Sequence, residues 1–181
     1  NSRHGVIENN LVYDNAGGIL TFITPGLPIK TTYDLIIRNN FITNNNHVNF
    51  GAPGSMVSGV PSGTGVVIMA ADEVTLENNI ISGNKNAAII ITDHDSFPNI
   101  TRDPETDPKS DKVAILNNLM YGNGHEPIDE IKALKVATLT SGNVDIVNVG
   151  TSRESCILNR DQYITVGLKD YGTCGFSTTA D

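Results

Sequence analysis

The sequence predicts an all-β chain wound into a parallel β-helix, a solenoid of stacked coils, with a C-terminal cap region. Two observations predict this fold: a repeat built around doubled asparagines, and a composition rich in Asn, Gly, Ile and Val. Asn and Gly tolerate the left-handed backbone of tight corners, while Ile and Val suit buried strands. A chain rich in both types favours short strands that are separated by tight turns.

The repeat occurs four times, at residues 5–15, 35–45, 74–84 and 113–123. In each copy an alternating apolar strand ends at two asparagines, at positions 9/10, 39/40, 78/79 and 117/118. Alternation excludes a helix, and a doubled Asn is unfavourable in a helix interior. We interpret the pair as a corner that leads into a second short strand and then, after another Asn, a third strand that closes the coil. Equivalent asparagines would stack in successive coils, so the repeat also predicts a ladder of amide hydrogen bonds.

The end of the repeat divides the chain into two predicted regions. Residues 1–123 form the β-helix coils, and residues 124–181 form a C-terminal cap or extension. A cap is expected because an open solenoid end exposes unpaired strand edges. The chain begins directly in a strand-like pattern, so we expect a mature form or fragment that starts mid-solenoid. An uncovered first coil would permit end-to-end self-association.

Three insertions interrupt the coils, at residues 23–33, 46–62 and 92–112. Insertions in a solenoid form loops, and these loops frequently lie on the binding face. The first two are rich in Gly and Pro, and the third is rich in Asp and Pro. We therefore expect the three loops to present a binding surface.

The charge excludes one class of function. The formal net charge is −8, from 12 basic and 20 acidic residues. A protein that binds nucleic acid without sequence preference needs a basic surface, so no nucleic-acid partner is expected. No apolar run approaches the roughly 20 residues of a membrane-spanning helix, so no membrane span is expected either.

Four stretches of the chain carry a resemblance to a known family. They are residues 17–22, residues 25–28, the doubled-Asn coil and residues 61–70. Together they resemble the bacterial parallel β-helix repeat-containing proteins, of the right-handed, pectate-lyase-like superfamily, over roughly residues 5–123. The resemblance implies a right-handed helix and export, to a secreted, periplasmic or outer-membrane-associated location. It also implies a dihaem c-type cytochrome as an exported partner, and no established activity.

Cys156 and Cys174 are the only cysteines of the chain, and both lie in the predicted cap. In an exported protein the natural interpretation is one disulfide, which contributes about 3 kcal/mol for a loop of this length. The alternative is two unrelated thiols. A zinc site is disfavoured because there is no second cysteine pair at short spacing.

The sharpest polar cluster is the run Asp93, His94 and Asp95, directly after a third strand. A His between carboxylates can act as the base that removes a C5 proton from a uronic acid. The run is similar to the Asp-Pro-His-Asp element of mannuronan C5-epimerases, without its Pro. Arg38, before a doubled Asn, is a candidate to neutralise a substrate carboxylate. The alternative is a solvated loop entrance in which the aspartates cap turns.

The acidic loop after His94 also suggests a calcium site. The candidate ligands are Asp93, Asp95, Asp103 and Asp107, since carboxylates are the oxygen ligands that Ca²⁺ prefers. No EF-hand spacing is present, and three prolines in this loop favour an extended, charged excursion instead. Ca²⁺ is the one cofactor for which the sequence provides candidates.

Three aromatic residues on the repeat, Tyr13, Phe41 and Tyr121, allow two interpretations. They could form a platform on which sugar rings stack, or they could pack within the solenoid. The sequence favours packing.

The favoured function is a non-catalytic, exported β-helix module that presents its loops to a partner protein or a glycan. The alternative is a polysaccharide lyase or C5-epimerase that acts on an acidic polysaccharide. The negative net charge weakens this alternative, because an acidic protein repels a polyuronate.

Overall fold

The computed structural model describes residues 1–96 and 103–175, in which the strands form three sheets. We name the sheets A, B and C in the order in which the chain first enters them. Sheet A contains β1 (Arg3–Glu8), β4 (Tyr33–Arg38), β7 (Asp72–Glu77), β10 (Ala114–Leu116), β13 (Cys156–Ile157) and β15 (Gly172–Thr173). Sheet B contains β2 (Leu11–Tyr13), β5 (Phe41–Thr43), β8 (Ile80–Ser82) and β11 (Leu119–Tyr121). Sheet C contains β3 (Gly17–Phe22), β6 (Thr64–Met69), β9 (Ala87–Thr92), β12 (Ile146–Val149) and β14 (Thr165–Val166).

Every strand of the described sheets pairs in parallel with the equivalent strand one coil away. Val12 lies opposite Ile42, for example, and Ile42 lies opposite Ile81. Through the four doubled-Asn coils the chain thus passes from sheet A to B to C and returns to A one layer further along, whereas after β13 it passes from sheet A to β14 of sheet C without a strand in sheet B. The predicted parallel β-helix is confirmed.

The core fills the space between the three sheets with aliphatic side chains. Ile37, Ile42, Ile68, Leu76 and Ile81 are each 0% exposed and belong to one cluster. They come from all three sheets and from successive coils, so each side chain packs on its equivalents along the axis. Burial of one such side chain contributes roughly 1.5–3 kcal/mol.

The corner between sheets A and B uses the two asparagines of each pair differently. The first members have a left-handed backbone, with φ of 58° at Asn9, 55° at Asn39, 54° at Asn78 and 52° at Asn117. The second members point inward and hydrogen-bond in a row: Asn10 Nδ2 donates to Asn40 (3.0 Å), Asn40 to Asn79 (3.0 Å) and Asn79 to Asn118 (2.9 Å). The first Asn turns the chain, and the second joins the coils.

A second row of inward amides follows the corner between sheets B and C. Asn15 Nδ2 donates to Asn45 (3.0 Å), Asn45 to Asn84 (3.2 Å) and Asn84 to Asn123 (3.1 Å). The residues before them take left-handed backbone, as at Asn44 and Gly83. Both corners are therefore fixed by side-chain amides as well as by the backbone.

Parallel pairing continues beyond the last doubled Asn. Strands β12 and β13 extend sheets C and A, so residue 123 marks the end of the doubled-Asn coils rather than of the sheets. Helix α1 (Asp129–Ala137) lies on the outside of sheet C, where Ile131 packs with Ile90 and Val147. Residues 176–181 of the predicted cap lie outside the described residues. No described helix is long and apolar enough to cross a membrane.

Candidate functional site

The candidate base His94 lies immediately after β9, in a short 3-10 turn over His94–Ser96. Its side chain is buried, with 3% of the residue exposed, and Nε2 lies 3.1 Å from the carbonyl oxygen of Ile23. We assign Nε2 as a donor to this carbonyl, because an acceptor nitrogen would face an acceptor oxygen. Burial lowers the pKa of His94, which favours the neutral ring. His94 thus ties its own loop to the loop after β3.

The carboxylates beside His94 have different surroundings. Asp93 is buried, and its Oδ1 accepts hydrogen bonds from the backbone N–H (2.8 Å) and the hydroxyl (2.5 Å) of Ser96. This is the geometry of an aspartate that caps a turn. Asp95 is exposed. Of the three residues, only Asp95 is therefore exposed to solvent.

Arg38, the candidate partner for a substrate carboxylate, lies on sheet A and not beside His94. Its Nε donates to Glu8 (2.7 Å), and its Nη1 lies 3.9 Å from Glu77. Glu8, Arg38 and Glu77 stand at equivalent positions of β1, β4 and β7. The hydrogen bond to Glu8 raises the pKa of Arg38. The structure does not bring Arg38 and His94 into one site, since His94 follows a strand of sheet C.

The candidate calcium ligands are engaged with protein groups. Asp103 accepts hydrogen bonds from Lys30 Nζ (2.7 Å) and the Gly26 N–H (2.9 Å), and the Lys30 bond chiefly lowers its pKa to about 2. Asp107 accepts a hydrogen bond from the N–H of Lys109 (3.0 Å). Within residues 1–96 and 103–175, no group of three or more His, Cys, Asp or Glu side chains is placed to hold a metal ion. Calcium binding stays a prediction.

The three loops leave the solenoid at two different corners. Loops 23–33 and 92–112 both lie between sheets C and A, where Lys30 and Asp103 join them over the tight turn at Ala70 and Ala71. Residues 97–102 of the latter loop lie outside the described residues. Loop 46–62 lies instead between sheets B and C.

Loop 46–62 has an internally fixed backbone and an apolar tip. Asn49 Nδ2 donates to the carbonyl oxygens of Val57 (2.8 Å) and Val60 (2.8 Å). Val48 and Phe50, on either side of this Asn, are 77% and 82% exposed. The loop thus exposes two apolar side chains to solvent on a backbone that the Asn49 hydrogen bonds hold in place.

The outer face of sheet B carries a feature that the loops do not explain. The first and third residues of each short strand point outward, and we call this set the sheet B strip. The first residues are apolar and exposed, at Leu11 (60%), Phe41 (40%), Ile80 (39%) and Leu119 (56%). The third residues are Tyr13, Thr43, Ser82 and Tyr121; both tyrosines are more than half exposed, whereas Thr43 is half-buried and Ser82 is only 4% exposed.

The sheet B strip is bordered by an exposed row of amides. We call Asn9, Asn39, Asn78 and Asn117 the corner asparagines; all four are exposed. The described part of the chain offers their side chains no hydrogen bond. The structure exposes the rings of Tyr13, Phe41 and Tyr121, contrary to the packing that the sequence favours. A large apolar residue follows every doubled Asn, but this pattern alone does not show which side of the short strand faces the core.

The sequence of coils and corners also matches a known family model. Residues 1–103, more than half of the chain, match the model described as the right handed beta helix region. The chain belongs to the right-handed β-helix family. This confirms the predicted hand of the solenoid. No curated protein and no solved structure matches the chain.

Cys156 and Cys174 of this β-helix form the predicted disulfide, with Cα atoms 4.9 Å apart. It joins β13 to the segment after β15 and packs against Leu116 and Leu158. The bond therefore fastens the last described layer of sheet A to the coil before it.

Proposed function

We propose that this β-helix is a non-catalytic module that binds a glycan or a partner protein through its exposed surface. One observation carries the proposal: exposed apolar side chains are held in regular rows on a frame that hydrogen bonds fix in place. In monomeric proteins, contiguous exposed apolar surface commonly marks an interaction site. The disulfide fits an oxidising compartment, so we place the protein outside the cytoplasm, secreted or in a periplasm.

The positions of the candidate catalytic groups support binding over catalysis. His94 donates to a backbone carbonyl, Asp93 caps a turn, and Arg38 is paired with two glutamates. A general base needs a lone pair within reach of the substrate proton, and the lone pair that His94 keeps on Nδ1 lies on a ring whose residue is only 3% exposed. A lyase or C5-epimerase would need these groups to leave their present partners.

The test measures turnover and binding on the same samples. The protein is incubated, with and without Ca²⁺, with polygalacturonate, alginate and uncharged polysaccharides. Absorbance reports unsaturated products, NMR reports epimerisation, and affinity gel electrophoresis reports binding. We expect retardation in at least one gel and no product.

Two variants make a positive result interpretable. His94→Gln removes the base but keeps a donor for Ile23, and Asp95→Asn neutralises the exposed carboxylate. Product formation that either variant abolishes, with the circular dichroism spectrum unchanged, would replace the binding module by a carbohydrate-active enzyme.

A further inference from the structure

We infer that the sheet B strip and the corner asparagines together bind an uncharged polysaccharide chain, which lies along the solenoid axis. The inference rests on the proposed function and names its surface and its ligand. It moves the binding surface from the loops to a face of the solenoid itself. Four properties of that face support the assignment: an apolar row, a tyrosine row, an amide border and the absence of charge.

The first property is the apolar row. Leu11, Phe41, Ile80 and Leu119 are in parallel register, so their side chains follow one another at about 4.8 Å, the spacing of neighbouring strands. All four are at least 39% exposed. Sugar rings have apolar faces made of C–H groups, and such faces cover aliphatic and aromatic side chains. A row that runs along the axis suits a chain that runs along the axis.

The second property is the tyrosine row beside it. Tyr13 and Tyr121 lie three strand spacings apart, about 14 Å along the axis. Between them, the Ser82 hydroxyl donates to the Thr43 hydroxyl at 3.1 Å. Tyrosine combines a flat apolar ring with a polar end that hydrogen-bonds, and its two side-chain torsions cost little entropy on binding. Since Ser82 is only 4% exposed, the two tyrosines provide the stacking surfaces and hydroxyl partners of this row.

The third property is the amide border. The corner asparagines repeat at the same strand spacing, with their left-handed backbone fixing the direction of each side chain. A side-chain amide has two N–H donors and one carbonyl acceptor, so it can pair with a hydroxyl in either direction. An amide row beside an apolar row matches a ligand with C–H faces and hydroxyl edges.

The fourth property is the absence of charge. None of the residues of the strip or of the amide border is charged. The nearest charged row, Glu8, Arg38 and Glu77, lies around the corner on sheet A and is internally paired. A polyuronate would find no cation on this face and a protein of net charge −8 around it. The face therefore selects an uncharged ligand.

The size of the face disfavours a second copy of this chain as the occupant. Three residues of strand and four strands give about 10 Å by about 19 Å, or roughly 200 Å². A stable protein–protein interface covers roughly 800 Å² on each partner. A narrow strip of this kind accommodates an extended chain molecule.

The experiment compares two variants that remove exposed aromatic rings. Tyr13→Ala/Tyr121→Ala removes both rings of the strip, and Phe50→Ala removes a more exposed ring from loop 46–62 as the matched control. Affinity gel electrophoresis measures the dissociation constants for soluble β-glucan, mannan and xylan. We expect binding to at least one of them, a loss of about tenfold or more in the tyrosine variant and none in Phe50→Ala. Asn39→Gly keeps the left-handed corner without the amide and should weaken binding by a few-fold.

The outcomes separate the inference from the proposed function. Retardation by polygalacturonate alone, or by no uncharged polysaccharide, overturns the inference. Binding that Phe50→Ala abolishes and the tyrosine variant retains also overturns it, while leaving a binding module. Self-association that the tyrosine substitutions abolish, seen by light scattering, assigns the face to a second copy. Turnover that His94→Gln abolishes would instead overturn the proposed function.

Discussion

The two asparagines of each pair have opposite surroundings although their side chains are identical. Asn78 is exposed and supplies a left-handed backbone, with φ of 54°. Asn79 is 1% exposed, and its amide bonds to coils on both sides. Its Nδ2 donates to Ile37 and Asn118, and its Oδ1 accepts two bonds from Asn40. The first position favours Asn because Asn tolerates a left-handed backbone. The second position requires Asn because its amide makes buried hydrogen bonds.

This difference predicts unequal losses of stability. Asn79→Ala leaves buried donors and acceptors unpaired in three coils, so we expect the free energy of unfolding to fall by about 2–4 kcal/mol. Asn78→Gly, the neighbouring control, keeps a residue that tolerates positive φ and should change it by less than about 1 kcal/mol. Urea denaturation measures both. Equal losses would show that the inward amides do not join the coils.

His94 gives the fold a predicted sensitivity to acid. Burial lowers its pKa in the folded chain, so the unfolded chain, with a pKa of about 6.5, binds the proton more readily. The contribution of His94 to stability is therefore complete above about pH 6.5 and is lost as the pH falls below it. Burial raises the pKa of Asp72 and Asp145 and gives the opposite slope, but at the lower pH where carboxylates titrate.

The measurement for His94 is the pH slope of stability rather than its value. His94→Gln keeps a donor for the Ile23 carbonyl and removes the titration. We expect the wild type to lose more stability than this variant between about pH 7 and about pH 5. Parallel slopes in urea denaturation would mean that His94 takes up its proton without leaving Ile23.

At the scale of elements, the disulfide stabilises one end of the solenoid. It closes a segment with a sequence separation of 18, and it fastens together two of the shortest strands, β13 and β15, which pair in neighbouring coils. In a solenoid each coil contacts mainly its neighbours, so the loss of a link acts locally first.

We therefore expect Cys156→Ser/Cys174→Ser to cost about 3 kcal/mol and to act unevenly. Amide hydrogen exchange should accelerate in β13 and β15, while protection in β4 and β7 is retained. Wild-type protein in a reducing agent serves as the control and should behave like the variant. A uniform loss of protection would show that the last coil and the core unfold together.

The strands and corners could be predicted from the sequence because alternating apolar residues mark the strands and the doubled asparagines mark the corners. The sequence did not show, however, which side of each short strand in sheet B faces the core. In Leu11-Val12-Tyr13 all three residues are apolar, so alternation shows that Val12 opposes its neighbours but not which side is the core. The contact between His94 and Ile23 was equally inaccessible, since it joins loops 71 residues apart. The fold can be predicted from local periodicity. Contacts such as that of His94 with Ile23 depend instead on which loops of different coils lie close together in the stack.

At the scale of the whole molecule, charged side chains and exposed apolar rows lie on different faces of the solenoid. Ion pairs run along sheet A and its borders, as at Arg38 with Glu8 and Lys112 with Glu73. The sheet B strip has no charged member, and of the residues at its far corner in the four coils only Asp14 is charged. A ligand on sheet B is therefore recognised by shape, stacking and hydrogen bonds, with little contribution from the net charge of −8.

This arrangement predicts how binding depends on salt. Between about 0.1 M and about 1 M NaCl the screening length falls from about 10 Å to about 3 Å, which weakens contacts between exposed charges. We expect the dissociation constant for an uncharged polysaccharide to change by less than about twofold over this range, because no charge pair forms on sheet B. Affinity gel electrophoresis at a series of salt concentrations measures it. Steep weakening with salt would place the ligand on a charged surface instead, with the Lys30 and Asp103 loops as the first alternative.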